Sequence, residues 1–168
     1  MDRELLLRVR AGDREAFDLI VAAKAESMYR TALAVLGNEA DARDVAQDAF
    51  VAAWRGIGGL RDIDRFDAWL GRILINQCRS ALRRRGRVRE VAVDEALEAP
   101  LAATAYDAAG FDEAFGRLTV DQRALLVLHH LHGYGVREIG AWLGIPTGTV
   151  KWRLSRARNA LQLELDRT

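Results

Sequence analysis

Apolar residues recur with helical rather than alternating spacing along most of the chain. From Asp41 to Trp54, the residues Ala42, Val45, Ala46, Ala49, Phe50 and Ala53 fall at i, i+3, i+4, i+7, i+8 and i+11, the single stripe of an amphipathic helix. Phe17, Ile20, Val21, Ala25, Met28, Ala32 and Val35 keep the same period and predict a helix that runs to about Leu36, where Gly37-Asn38 stops it. Leu5, Leu6 and Val9 mark a short helix over residues 2–10, punctuated by Gly12-Asp13. Gly56 to Asp64 holds three glycines and predicts a loop. A fourth helix starts near Arg65, with Phe66, Trp69, Leu70, Ile73 and Gln77 on its inner face. It runs into an arginine cluster and ends at Gly86.

The pattern then breaks. Residues 88–110 are acidic, rich in alanine and without helical period, and they contain Pro100. Such a stretch is too long for a loop inside one compact domain and predicts a flexible linker. It separates a first domain, 1–87, from a second, 111–168. In the second, Phe115 and Leu118 close a short helix. Thr119-x-x-Gln122 then has the form of a capping box, opening a helix that carries Leu125, Leu126, Leu128 and Leu131, with Gly133 just beyond its end. Val136 to Leu143 forms another short helix that Gly144 ends, Ile145-Pro146 makes the turn, and a long last helix runs from Thr147 to about Asp166. The expected fold is all-α: two small helical domains joined by a flexible linker, the C-terminal one a helix-turn-helix with Ile139, Leu143, Ile145, Val150 and Leu154 as its core. Gly140 costs that helix up to about 1 kcal/mol against alanine, which closer helix packing would justify.

Charge refines this picture. The net charge of +1 hides an uneven distribution. Residues 79–89 carry six arginines and no acid, residues 90–113 seven acids and no Lys or Arg, and residues 114–168 eight basic against four acidic side chains. Two basic zones flanking an acidic one suit a polyanionic partner, nucleic acid first. No apolar run approaches the roughly 20 residues of a membrane span, and the N-terminus lacks the apolar core of a signal peptide. A lone cysteine, Cys78, fits a reducing compartment. The expected location is cytoplasmic. The chain ends soon after the last helix, so no further regulatory domain is expected.

On that last helix Val150, Leu154, Ala157, Leu161 and Leu165 share one face. The opposite face carries Gly148, Thr149, Trp152, Ser155, Arg156 and Asn159, flanked by Lys151, Arg153 and Arg158. A recognition helix needs this arrangement, with hydrogen-bond donors toward base edges in the major groove. Arg156 suits bidentate contact with a guanine. Thr149, Lys151 and Arg158 suit phosphates, helped by the helix N-terminus. Trp152 is unusual here: an outward aromatic should be hidden by DNA, by a partner, or by a neighbouring helix.

Other chemistry is poorly supported. His129, His130 and His132 cluster, but adjacent helical residues point about 100° apart and lack the spacing of a metal site. Gly56, Gly58 and Gly59 precede no Lys-Ser/Thr pair, so no phosphate loop is present. No catalytic triad or carboxylate dyad stands out. Neither an enzyme, nor a cofactor, nor a metal, nor a small-molecule substrate is expected.

Leu118 to Leu161 (LTVDQRALLVLHHLHGYGVREIGAWLGIPTGTVKWRLSRARNAL) resembles region 4 of extracytoplasmic-function RNA polymerase sigma factors, the sigma-70 family, with GTVKWRLSRAR the most telling stretch. Asp41 to Trp54 (DARDVAQDAFVAAW) resembles region 2, and Arg65 onward (RFDAWLGRILINQCRSALRRRGR) resembles its promoter-melting, −10-reading end. The resemblance implies an alternative sigma factor that binds core RNA polymerase, recognises −35 and −10 elements and helps melt promoter DNA. It places Asp41, Asp44, Gln47 and Asp48 against the polymerase β′ subunit, and the C-terminal domain at the β flap. It gives Leu60, Arg61, Asp62, Arg72, Asn76, Arg79, Arg83 and Arg84 to the −10 element, with Asn76 reading a base edge and the arginines, Arg85 among them, following the backbone. It gives Arg137, Thr147, Thr149, Lys151, Trp152, Arg153, Ser155, Arg156 and Arg158 to the −35 element. It also implies control by an anti-sigma factor. Trp152 departs from the small residue frequent at its position, and the Leu60–Asp64 loop is poorer in Ser and Thr than is common. The competing reading, a stand-alone helix-turn-helix regulator, leaves the Asp41–Trp54 motif unexplained.

Overall fold

A computed structural model describes residues 2–91 and 108–167. The chain folds as α1 (Arg3–Arg10), α2 (Arg14–Leu36), α3 (Glu39–Gly56), α4 (Phe66–Val91), α5 (Ala108–Arg117), α6 (Val120–Leu126), α7 (Val136–Leu143) and α8 (Thr147–Leu165). No strand occurs among the described residues. Short polar side chains start these helices by accepting orphan backbone N–H groups. Asp2, Asp13 and Asn38 cap α1, α2 and α3. The Thr119/Gln122 capping box forms as expected at α6, and Gly37 and Gly144 take left-handed conformations at the ends of α2 and α7.

The α3 stripe is wholly buried: Ala42, Val45, Ala46, Ala49, Phe50 and Ala53 all face the interior. Small residues there let α3 lie close to α2 and α4. Four expectations need correction. First, α4 continues through Gly86 to Val91; one glycine costs about 1 kcal/mol in a helix, and the arginines around it are good helix formers. Second, its buried face is Phe66, Leu70, Leu74, Ile75 and Cys78, while Ile73 and Gln77 are only half-buried. Third, residues 57–59 and 63–65 wind into single 3-10 turns rather than open loop. Fourth, α5 begins at Ala108, so both ends of the expected 88–110 linker are helical; its middle, 92–107, lies outside the described residues.

After α6 the chain widens into a π turn, Val127–Leu131. It closes at Gly133, whose φ is 69°. The helix-turn-helix core is Leu125, Leu128, Ile139, Trp142, Val150 and Leu154, with Leu143 and Ile145 partly buried against it. Gly140 justifies its cost. A Cβ there would stand 2.8 Å from the Ile145 carbonyl oxygen, so only glycine allows the tight turn into α8.

The helices before and after the acidic stretch do not stand apart. Ala124 and Val127 enter the same apolar core as α2, α3 and α4. Trp142 of α7 lies flat against α4 at Gly71, where a Cβ would fall 2.0 Å from the indole. Asp121 at the start of α6 accepts a hydrogen bond from Arg79 Nε of α4 at 2.7 Å, and His132 Nε2 meets Thr31 Oγ1 of α2 at 2.9 Å. Arg123 is also buried in this seam, and its Nε has no hydrogen-bond partner among the described residues.

Candidate nucleic-acid interface

Val150 and Leu154 seat α8 in the helix-turn-helix core, Ala157 packs with Leu118 and Leu126 in a smaller cluster, and together they fix which side faces out. Gly148, Lys151, Trp152, Ser155, Arg156 and Asn159 are exposed; Thr147, Thr149 and Arg153 are partly buried at the edges. No side chain caps the α8 N-terminus, which follows Pro146, so its first N–H groups remain available to an anion. The guanidinium of Arg156 lies 4.9 Å from the centre of the Trp152 ring. Trp152 is 58% exposed; of the three covers the sequence allows, a neighbouring helix of the same chain is not the one used among the described residues. Arg158 turns aside toward His130, its Nε 3.3 Å from the ring Nε2. Arg137 is exposed on α7.

The second basic surface runs along α4. Arg72, Asn76, Arg83 and Arg84 are exposed. Asn76 Oδ1 accepts from Arg79 Nη1 at 2.8 Å, and Ser80 Oγ accepts from Arg83 Nη2 at 2.9 Å. Arg79 is divided between Asn76 and Asp121 and is the least exposed cation of the row. Of the preceding loop, Arg61 is exposed and Leu60 half-buried. Asp62 spends its carboxylate on the local turn, accepting from the Asp64 N–H at 3.1 Å and pairing with Arg65 at 3.2 Å. Leu60 and Arg72 line a cleft of about 730 Å³ whose other wall is Arg137, Gly144, Ile145 and Thr147. Residues expected at two separate DNA elements thus share one cleft, which the sequence does not foretell.

A third surface lies on α3. Asp44, Gln47 and Asp48 are exposed on one side of it. Asp41 is different: its Oδ2 is 2.8 Å from Arg85 Nε, tying the start of α3 to the arginine-rich half of α4. Beside Gln47 opens a groove of about 960 Å³ between α2 and α3, floored by Phe17, Val21, Phe50 and Trp54 and rimmed by Arg14, Arg43 and Arg55. The rings of Phe17 and Trp54 stand 5.1 Å apart within it. Sequence reasoning missed this groove. Helical period counts Phe17, Val21 and Ala25 in the buried stripe of α2, whereas here they are only half-buried and line the groove.

The reactive side chains elsewhere are committed to structure. Burial pushes the Cys78 thiol up to about 12, so it stays protonated and poorly nucleophilic at neutral pH. His129 Nδ1 meets the Tyr134 carbonyl at 3.0 Å, and the other two histidines contact Arg158 and Thr31. No group of three or more His, Cys, Asp or Glu able to hold a metal occurs among the described residues, and no helix there is long and apolar enough to cross a membrane.

Comparison with known proteins accounts for this combination of surfaces. Residues 20–88 match Sigma-70 region 2, and residues 109–161 match Sigma-70, region 4. The chain is 35% identical to the ECF RNA polymerase sigma factor SigM of Mycobacterium tuberculosis, over 95% of this chain and 82% of that one. It is 32% identical to the ECF RNA polymerase sigma factor SigW of Bacillus subtilis, over 98% and 97%. Among solved structures, CnrH in complex with the cytosolic domain of CnrY superposes with a TM-score of 0.72 at 32% identity, covering 98% of this chain and 97% of that one. RpoE of Bartonella quintana, solved with the anti-sigma factor NepR, gives 0.68 at 28%, covering 89% and 96%. With both sigma-70 regions present in order and relatives matched along nearly their whole length, the chain belongs to the extracytoplasmic-function sigma factors and is an alternative sigma factor directing transcription initiation.

Proposed function

We propose that the three surfaces divide the work of initiation. Residues 1–87 form the region 2 unit and 111–168 the region 4 unit, joined through 88–110. Asp44, Gln47 and Asp48 dock on the β′ subunit of core polymerase, with the neighbouring groove receiving apolar side chains. Acidic side chains at such a rim steer association and fix orientation more than they add affinity. The α4 face, Arg72, Asn76, Arg79, Arg83 and Arg84, with Leu60 and Arg61 before it, meets the −10 element as the strands part. Holding an extruded base costs a few kcal/mol, which backbone contacts from the arginines offset. The outer face of α8 reads the −35 element, and the region 4 unit contacts the β flap. The protein works in the cytoplasm as a binding factor without catalysis of its own, and an anti-sigma factor restrains it by covering polymerase-binding surfaces.

The observation that carries this reading is the exposed trio on α3, because a stand-alone DNA-binding regulator has no use for it. The test mixes purified protein with bacterial core RNA polymerase on a size-exclusion column. Wild type should co-elute, and Asp44→Arg/Asp48→Arg should not, while keeping its helical content. Equal co-elution of both proteins would remove α3 from the docking surface.

A further inference from the structure

Trp152 stands out on α8. It is 58% exposed, although burying such a ring is worth about 2 kcal/mol or more. Helical side chains lean toward the helix N-terminus, so Arg156 lies over Trp152, its guanidinium 4.9 Å from the centre of the ring. Where a Gly148 side chain would begin, nothing stands within 4 Å, so the surface of α8 one turn before Trp152 is open as well. No carboxylate pairs with Arg156 among the described residues, so its hydrogen-bond donors remain available.

An apolar ring beside a pre-stacked guanidinium matches two neighbouring features of the major groove. A guanine offers O6 and N7 to a bidentate arginine, and a thymine offers its 5-methyl group to an apolar surface. Holding a long, flexible arginine on the ring before binding lowers the entropy lost when it engages the base. Resting on the reading of α8 as the −35 reader, we propose that Trp152 is a specificity-determining residue of this chain. It presents Arg156 to a guanine and itself packs on the methyl group of a thymine at the adjacent base pair.

The holoenzyme, reconstituted from core polymerase and the full chain, is used to select promoters from a library randomised at the −35 element. The preferred promoter is then resynthesised with deoxyuridine replacing each thymine in turn, which removes only the methyl group. Wild type should prefer a guanine beside a thymine and lose about fourfold in affinity when that thymine loses its methyl. Trp152→Ala should show no such methyl dependence and a weaker guanine preference. Trp152→Phe, which keeps a ring for the guanidinium, should restore the guanine preference. Because Trp152 lies outside the core, unchanged circular dichroism should accompany both variants. The same selected sequence and the same deoxyuridine penalty in Trp152→Ala would overturn the proposal. So would a wild-type preference without an adjacent guanine and thymine. If the wild-type holoenzyme shows no −35 preference at any position, the assignment of α8 itself falls, and the proposal with it.

Discussion

Gly71 of α4 and Trp142 of α7 fit together only because Gly71 has no side chain: a Cβ there would stand 2.0 Å from the indole. The contact couples the two halves of the chain, and it lies beside Arg72 on the surface assigned to the −10 element. Gly71→Ala therefore separates two effects. Within α4, alanine is the better helix former by about 1 kcal/mol. Across the seam it forces Trp142 away. The expected result is unchanged or slightly higher helicity by circular dichroism with a larger radius of gyration by small-angle scattering. An unchanged radius would mean that α7 is not held at this notch in solution.

Arg123 gives the same seam a weak point. Its guanidinium is buried between α6 and α4, and Nε has no partner among the described residues. Burial holds its pKa below the usual arginine range, and the nearby Cys78 offsets this only in part. Arg123 pairs with no carboxylate among the described residues, so an apolar side chain of similar length removes the cost of desolvating its charge. Arg123→Met should thus raise stability by about 1 kcal/mol, or roughly 3 °C in melting temperature for a chain of this size. Differential scanning calorimetry of both proteins checks it; a lower melting temperature would show that Arg123 is satisfied after all.

These two residues mark where the sequence ceased to be legible. Helical period, glycine punctuation and the Thr119/Gln122 capping box located the eight helices of the described residues, because each is an amphipathic element whose buried stripe is local information. The outer face of α8 was readable for the same reason, since Val150, Leu154 and Ala157 fix the orientation of everything opposite. Gly71, Arg123 and the α2–α3 groove depend instead on how helices distant in sequence are set against each other. A glycine facing a tryptophan 71 positions later leaves no periodic signal. The end of α4 was misplaced for a simpler reason: Gly86 reads as a stop, although the surrounding arginines sustain the helix.

The seam should also respond to acid. His132 contacts Thr31 across it, and its pKa is held below the ordinary histidine value first by burial and then by the charge of Arg30. His130 is shifted the same way, by burial first and then by His129 and Arg158. A lowered folded-state pKa means that the unfolded chain takes up protons more readily. Stability is therefore full above the unfolded value of about 6.5 and falls as pH drops through it. Urea denaturation at pH 7.5 and pH 5.5 should show lower stability at the acidic end. His132→Asn should flatten that dependence, and an identical slope in the variant would clear His132 of the effect.

Asp41 and Asp44 lie one turn apart on α3 yet should behave differently. Asp41 pairs with Arg85 at 2.8 Å, its side chain 29% exposed against 49% for the arginine. Asp44 projects from the exposed face beside Gln47 and Asp48. A partly exposed ion pair contributes at most about 1 kcal/mol, and this one ties the arginine-rich half of α4 to the start of α3. Asp41→Asn keeps the shape and removes the charge, so it should lower unfolding stability slightly and leave polymerase binding within about twofold, a factor worth only about 0.4 kcal/mol. Asp44→Asn should do the reverse, weakening core binding several-fold with little change in stability, since exposed charges act mainly on association. Titrating fluorescently labelled protein with core polymerase, alongside urea denaturation, measures both quantities. If Asp41→Asn weakens core binding as much as Asp44→Asn, the docking surface extends to the first turn of α3, and the Arg85 pair must open when polymerase binds.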